Sequence, residues 1–238
     1  MNNRRRDYYP LVGYMLILVM VWFASWISDI VTTFMGTGSR LASLVGSEGL
    51  RWTMRNALPA LNDVPWGSVM LLLAAFGLLH GSGIARLLRH IVKREHLTAI
   101  ELRSLLFSML ALLSYSVLLY ITTLPQWNIL VGITGTLENS SFVSGIPLLV
   151  FFGILVMSLV YGFMYGNYRS VIDVTSSVGN TCSRYVPALL ALIPASGIIA
   201  SVTYMGVFGL LGLTVPEVDI IATVFYTIPF IHIMFGQR

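Results

Sequence analysis

Few side chains in this sequence can do chemistry, and His80 lies the deepest of them within an apolar run. It belongs to the segment Leu79-His80-Gly81-Ser82-Gly83, toward one end of a hydrophobic stretch. An ionisable side chain inside a bilayer is costly and is therefore a candidate for function. An imidazole could relay protons or contact a solute, because histidine titrates near neutral pH. A structural role, with a hydrogen bond to a neighbouring helix or contact with head groups, stays open.

Ser82 is the second candidate for a substrate or proton pathway. A serine nucleophile needs a base within hydrogen-bond reach and usually a third, orienting group. His80 and Ser82 are two residues apart on a helix, so their side chains point to different sides. The remaining histidines, at positions 90, 96 and 232, lie in or near the predicted head-group region. The sequence therefore predicts no catalytic residue and no enzyme.

Metal and cofactor sites leave no pattern in the sequence. No combination of His, Asp, Glu and Cys has the spacing of a known ligand set. The single cysteine, Cys182, excludes an internal disulfide and a cysteine-rich metal site. No glycine-rich phosphate loop follows a strand, because no segment has a strand pattern. We expect neither a metal nor a cofactor.

Composition assigns the chain to the membrane. Of its 238 residues 56% are hydrophobic and 10% are charged, whereas soluble domains carry roughly 25% charged residues. The mean hydropathy is +0.82. The formal charge of +4 does not indicate nucleic-acid binding, because the basic residues cluster beside apolar runs, where they set topology and contact anionic head groups. The lipid bilayer is the expected environment.

The apolar runs and their breakers predict an all-α integral membrane protein with six transmembrane helices. We treat residues 1–238 as a single polytopic domain. Two interfacial amphipathic helices are expected in addition, over 41–61, with a break at Ser47-Glu48-Gly49, and over 167–184. The predicted spans cover 11–34, 64–88, 104–124, 142–165, 185–213 and 218–235.

Basic residues predict the orientation. Arg4, Arg5 and Arg6 precede the first apolar run, which is long enough to be a retained helix rather than a cleaved signal peptide. The connection 86–103 is also strongly basic, whereas the alternate connections carry the acidic residues Glu48, Asp63, Glu138, Glu217 and Asp219. This bias places both termini and 86–103 in the cytoplasm. The expected location is the bacterial inner membrane, crossed several times.

Glycines predict close helix packing. Gly162 and Gly166 form a pair with small-xxx-small spacing at the end of the fourth span, and Gly206 and Gly209 recur in the fifth. Small residues let helix backbones approach each other in lipid. We expect these glycines to be packing sites and the chain to form a homodimer.

Two blocks of the sequence resemble the p-aminobenzoyl-glutamate transporter (AbgT) family. The first covers roughly 43–84, including a proline that leads from a short helix into the second span. The second block covers roughly 160–212. The segments that carry the resemblance are Ser47-Glu48-Gly49-Leu50-Arg51-Trp52, Pro65-Trp66-Gly67, His80-Gly81-Ser82-Gly83-Ile84, Val160-Tyr161-Gly162, Tyr168-Arg169-Ser170 and Gly209-Leu210-Leu211-Gly212.

The resemblance implies two alternative functions. Members of the family are about twice this length and build their transport core from two re-entrant hairpins. Here 86–103 leads directly into a scaffold-like helix, so we expect a short form without the hairpins. No substrate-binding residue of the family can be carried over. The protein is then either a transporter of an organic anion, such as p-aminobenzoyl-glutamate or a drug, or a non-transporting membrane scaffold for an unknown partner protein.

Overall fold

Every regular element in the described part of the chain is a helix. The computed structural model describes residues 6–35, 41–94, 96–123 and 141–235, and no strand occurs within them. The helices are, in chain order, α1 (Tyr9–Met35), α2 (Ser47–Asn62), α3 (Trp66–Ser82), α4 (Ile84–Val92), α5 (Ala99–Thr123), α6 (Ser141–Tyr165), α7 (Val171–Met205), α8 (Val207–Leu210) and α9 (Val215–Phe235).

Six helical stretches are long and apolar enough to cross a membrane. About 20 apolar residues cross the roughly 30 Å of hydrocarbon in a bilayer, and each stretch has at least that length. The predicted all-α membrane class and the number of spans are thus confirmed. The end of the third predicted span, residue 124, lies outside the described residues. The stretches are Tyr9–Phe34, Ser47–Ser82, Ala99–Thr122, Gly145–Tyr165, Val171–Met205 and Val215–Phe235.

The helices belong to two compact units. Unit 1 consists of Met1–Pro65 and Tyr185–Arg238, and unit 2 of Trp66–Arg184. The boundary between them falls within α7. The single polytopic domain of the sequence analysis stays a prediction.

Unit 2 is built around α6, which packs against both α3 and α5. Its buried core combines Ile84 and Leu87 of α4 with Tyr161 of α6. Toward the other end of α6, the Tyr115 hydroxyl of α5 donates a hydrogen bond of 2.8 Å to the Leu149 carbonyl. In hydrocarbon, such a bond satisfies a phenol that has no access to water.

Unit 1 contains α1, α2, α8, α9 and the second half of α7. The Tyr14 hydroxyl of α1 donates to the Phe225 carbonyl of α9 at 2.7 Å, and the two rings meet edge to face at 4.5 Å. The connection before α2 is held by α1, because the Leu44 amide donates to Ser25 Oγ at 2.7 Å. This contact fixes the start of α2.

Helix α7 differs from the expected pair of elements. The sequence analysis separated a surface helix over 167–184 from a span over 185–213, whereas α7 is continuous over Val171–Met205. Its 35 residues extend about 52 Å at 1.5 Å per residue, well beyond the hydrocarbon thickness. In its polar first half the hydroxyls of Thr175, Ser177 and Thr181 donate to carbonyls three or four residues earlier, so they are satisfied within the helix.

The break predicted at Ser47-Glu48-Gly49 is wrong. Helix α2 begins at Ser47, and Gly49 lies buried in its first turn. The glycine is needed for packing rather than for interruption. A Cβ atom at Gly49 would overlap the Ser43 carbonyl oxygen and the Leu44 backbone.

Candidate functional site at the break between α3 and α4

The second membrane-spanning stretch ends next to both predicted pathway residues. Helix α3 ends at Ser82 and α4 begins at Ile84, with Gly83 between them at a φ of 92°. This left-handed conformation is open to glycine without strain. The chain therefore changes direction while the Gly83 carbonyl still accepts the amide of Leu87 at 3.0 Å.

The connection between α6 and α7 covers the end of α3. The Asn167 side chain donates from Nδ2 to the Ser82 carbonyl at 2.7 Å, and the Tyr168 hydroxyl donates to the Leu78 carbonyl at 3.0 Å. The last carbonyls of a helix have no partner inside the helix. Asn167 supplies one of these missing partners from a segment far away in sequence, and Tyr168 bonds to the same helix about one turn earlier.

Two glycines place Asn167 and Tyr168. Gly166 has a φ of 89°, and both its amide and that of Tyr168 donate to the Gly162 carbonyl, at 3.1 and 3.0 Å. This is the pattern of a helix that ends with a left-handed glycine. The Tyr168 ring then lies against Gly162, where a Cβ atom would overlap it.

Tyr168 is a permanent hydrogen-bond donor at this position. Burial raises the pKa of its hydroxyl above the ordinary value, and the nearby Ser177 hydroxyl, at 3.2 Å, lowers it by a smaller amount. Because the net shift is upward, the phenol stays protonated throughout the physiological pH range.

A cationic cleft lies at the break. It has a volume of about 290 Å³ and is lined by His80, Gly81, Gly83, Arg86, Arg89 and Asn167. Its lining contains two guanidinium groups and an imidazole but no carboxylate. Guanidinium groups bind carboxylates and phosphates in a bidentate manner, so the cleft favours an anion.

His80 and Ser82 do not act as a pair. His80 is exposed and lines the cleft, with its ring stacked at 6.5 Å on Phe76 one turn earlier. Ser82 is fully buried, and its hydroxyl donates to the Leu79 carbonyl at 3.2 Å. The sequence analysis expected His80 to lie in the interior of the span. His80 is exposed instead, because α3 ends only two residues after it.

The four glycines expected at packing sites have different surroundings. Gly162 lies under the Tyr168 ring, whereas no described atom lies within 4 Å of a Cβ built at Gly166, Gly206 or Gly209. Gly166 and Gly206 have positive φ values and end helices. The packing role of these three and the homodimer stay predictions.

Glu101 is a buried charged residue that the sequence analysis missed. Its Oε2 accepts hydrogen bonds from the Thr98 amide at 2.9 Å and the Thr98 hydroxyl at 3.0 Å, and His90 Nδ1 lies 3.7 Å from Oε1. Thr98 and Glu101 form a capping box, which the Thr-x-x-Glu spacing before an apolar run could have revealed. The contact ties α4 to the start of α5.

The profile of the AbgT transporter family matches residues 89–215, slightly more than half of the sequence. The chain belongs to the AbgT transporter family. In this AbgT-family protein the match includes Arg89, Asn167 and Tyr168 of the site, while His80 and the first of the two resembling blocks precede it. Neither a curated protein nor a solved structure matches the chain.

Proposed function

We propose that this AbgT-family protein transports an organic anion, such as p-aminobenzoyl-glutamate or an anionic drug. The cationic cleft at the end of the second span supports the proposal. Secondary transporters bind their substrates at broken helices, where helix ends and unpaired groups meet the solute. Arg86, Arg89 and His80 would attract the anion, and the Asn167 side chain holds the broken end of α3 in place.

Replacing His80 by alanine tests this function. If the imidazole binds the anion or passes a proton, we expect His80→Ala to lower the initial uptake rate in proteoliposomes about tenfold or more, since a hydrogen bond to a charged group contributes roughly 1.5–3 kcal/mol. The measurement is uptake of radiolabelled p-aminobenzoyl-glutamate at several pH values. His80→Asn should keep the fold and part of the activity.

His232→Ala is the matched control, because His232 lies in α9 of unit 1 and outside the cleft. Its uptake should equal that of the unchanged protein. Uptake that survives His80→Ala at every pH would make His80 a structural residue. The pathway role of His80 and Ser82 would then be lost.

A non-transporting membrane scaffold is the second candidate function. Helix α4 ends at Val92 and α5 begins at Ala99, whereas the family resemblance implies a re-entrant hairpin in this part of the chain. A correctly folded protein that takes up no anion, but purifies together with another membrane protein, would favour the scaffold.

We also propose that the protein lies in the bacterial inner membrane with both termini and 86–103 in the cytoplasm. The positive-inside rule supports this orientation. We expect a cysteine at position 94, introduced as Arg94→Cys in a Cys182→Ser background, to resist an impermeant maleimide in intact cells. It should react after the cells are permeabilised. Strong labelling of intact cells would reverse the topology.

A further inference from the structure

Unit 1 contains a second cavity, with chemistry opposite to that of the cleft. It has a volume of about 880 Å³ and opens between residues of α2, α7, α8 and α9. Gly206 and Gly209 line it. The empty space beside both glycines, where no described atom lies within 4 Å of a Cβ position, is part of this cavity. Its volume falls within the roughly 300–1,000 Å³ of sites that bind small molecules.

The charge of the cavity is negative. Asp63, just after α2, and Asp219, in α9, both line it, and its lining contains no Lys, Arg or His. Within the described part of the chain, neither carboxylate forms an ion pair. Two carboxylates without a counter-ion attract a cation.

The hydroxyl groups of the lining add acceptors rather than donors. Ser196 and Thr203 of α7 donate their hydrogens to the Ile193 and Ile199 carbonyls at 2.9 and 2.8 Å. Thr223 of α9 does the same to the Asp219 carbonyl at 2.8 Å. Each hydroxyl has only one hydrogen to donate, so its oxygen is left as an acceptor. A ligand rich in N–H or N–CH₃ groups fits this lining.

A buried phenol points to the same kind of ligand. Tyr226 is 6% exposed and lines the cavity. Within the described residues its hydroxyl has no hydrogen-bond partner. The hydroxyl is therefore free to bond a ligand in the cavity.

The aromatic and apolar residues of the lining favour a ligand whose uncharged part is apolar or aromatic. The Trp52 ring lines the cavity and is stacked on Tyr204 at 4.3 Å. A tryptophan face attracts cations most strongly when water is excluded. The described residues contain no group of three His, Cys, Asp or Glu side chains that could hold a metal ion. An organic cation suits the cavity better than a bare ion.

We propose that this cavity binds an organic ammonium ion carried on an apolar or aromatic body. Asp63 and Asp219 pair with the charge, Tyr226 contributes its oxygen, and Trp52 contacts the body of the ligand. The cation could be a soluble amine or the head group of phosphatidylethanolamine, which share the ammonium group. The proposal does not rest on anion transport, because its residues lie outside the cleft.

Binding of 2-phenylethylammonium tests the site. The full chain is placed in nanodiscs of phosphatidylglycerol, which has no amine, and the affinity is measured by equilibrium dialysis with radiolabelled ligand. We expect the neutral analogue 2-phenylethanol to bind at least about tenfold more weakly. The double variant Asp63→Asn with Asp219→Asn should lose at least about tenfold in affinity for the amine.

Three controls keep the result interpretable. Asp29→Asn removes a carboxylate from α1 outside the cavity and should leave binding unchanged. If the double variant does not fold, the single variants and Asp63→Glu, which keeps the charge, replace it. Adding phosphatidylethanolamine to the nanodiscs should weaken amine binding if the lipid occupies the site, and leave it unchanged if a soluble amine does.

Equal binding of the alcohol and the amine would overturn the proposal, because the cavity would then be only an apolar cleft. The same conclusion would follow if the folded double variant bound the amine as tightly as the Asp29→Asn control. Neither result would affect the uptake experiment on His80.

Discussion

Gly49→Ala is expected to lower the free energy of unfolding by about 3 kcal/mol or more, because the added methyl group would overlap backbone atoms. The atoms in its way are the Ser43 carbonyl oxygen and the Leu44 backbone. Leu44 is held from other sides, since it is fully buried and its amide donates to Ser25 Oγ at 2.7 Å. The segment cannot move away without breaking that hydrogen bond.

The measurement for Gly49→Ala is reversible unfolding by SDS titration in mixed micelles. Gly13→Ala is the control in the same unit, because no described atom lies within 4 Å of a Cβ atom built at Gly13, near the start of α1. Alanine has a higher helix propensity than glycine, so Gly13→Ala should be neutral or stabilising. Equal stabilities for the two variants would show that the 43–44 segment is not packed on α2.

The second large effect is expected at Gly162. A methyl group there would overlap the Tyr168 ring, and we expect Gly162→Ala to cost roughly 2–3 kcal/mol, since overpacking forces side chains out of their preferred positions. A displaced ring would also take its hydroxyl away from the Leu78 carbonyl, 3.0 Å distant. Gly162→Ala would then remove the contact of Tyr168 with α3 as well as lower the free energy of unfolding.

Gly145→Ala, on the same helix but with no described atom within 4 Å of its Cβ position, is the control for Gly162→Ala. Both stabilities are measured by the same titration. Near-ultraviolet circular dichroism of the tyrosines reports whether the Tyr168 environment has changed. Unchanged stability and an unchanged spectrum for Gly162→Ala would contradict the packing of Tyr168 on α6.

The two proposed sites have opposite charge preferences and lie in different units. The cleft at His80, Arg86 and Arg89 favours an anion, whereas the cavity at Asp63 and Asp219 favours a cation. The His80 and Asp63 experiments therefore have independent outcomes. Each can fail without weakening the other.

The membrane class, the number of spans and several helix ends could be predicted from the sequence alone. These features depend on local properties, namely runs of about 20 apolar residues and breakers between them. Gly83 is an exception, because the predicted span 64–88 runs through it, whereas α3 ends at Ser82. The capping box of Thr98 and Glu101 is a local pattern of the same kind.

The tertiary structure decided which residues meet. The sequence placed His80 beside Ser82, but the cleft combines His80 with Arg86, Arg89 and Asn167, and Ser82 is buried behind it. Asn167 is 85 residues from Ser82, and no local pattern specifies a partner at that distance. The prediction of a helix break at Gly49 failed for the same reason. Glycine can either interrupt a helix or let another backbone approach it closely, and the backbone that packs on Gly49 belongs to the separate segment 43–44.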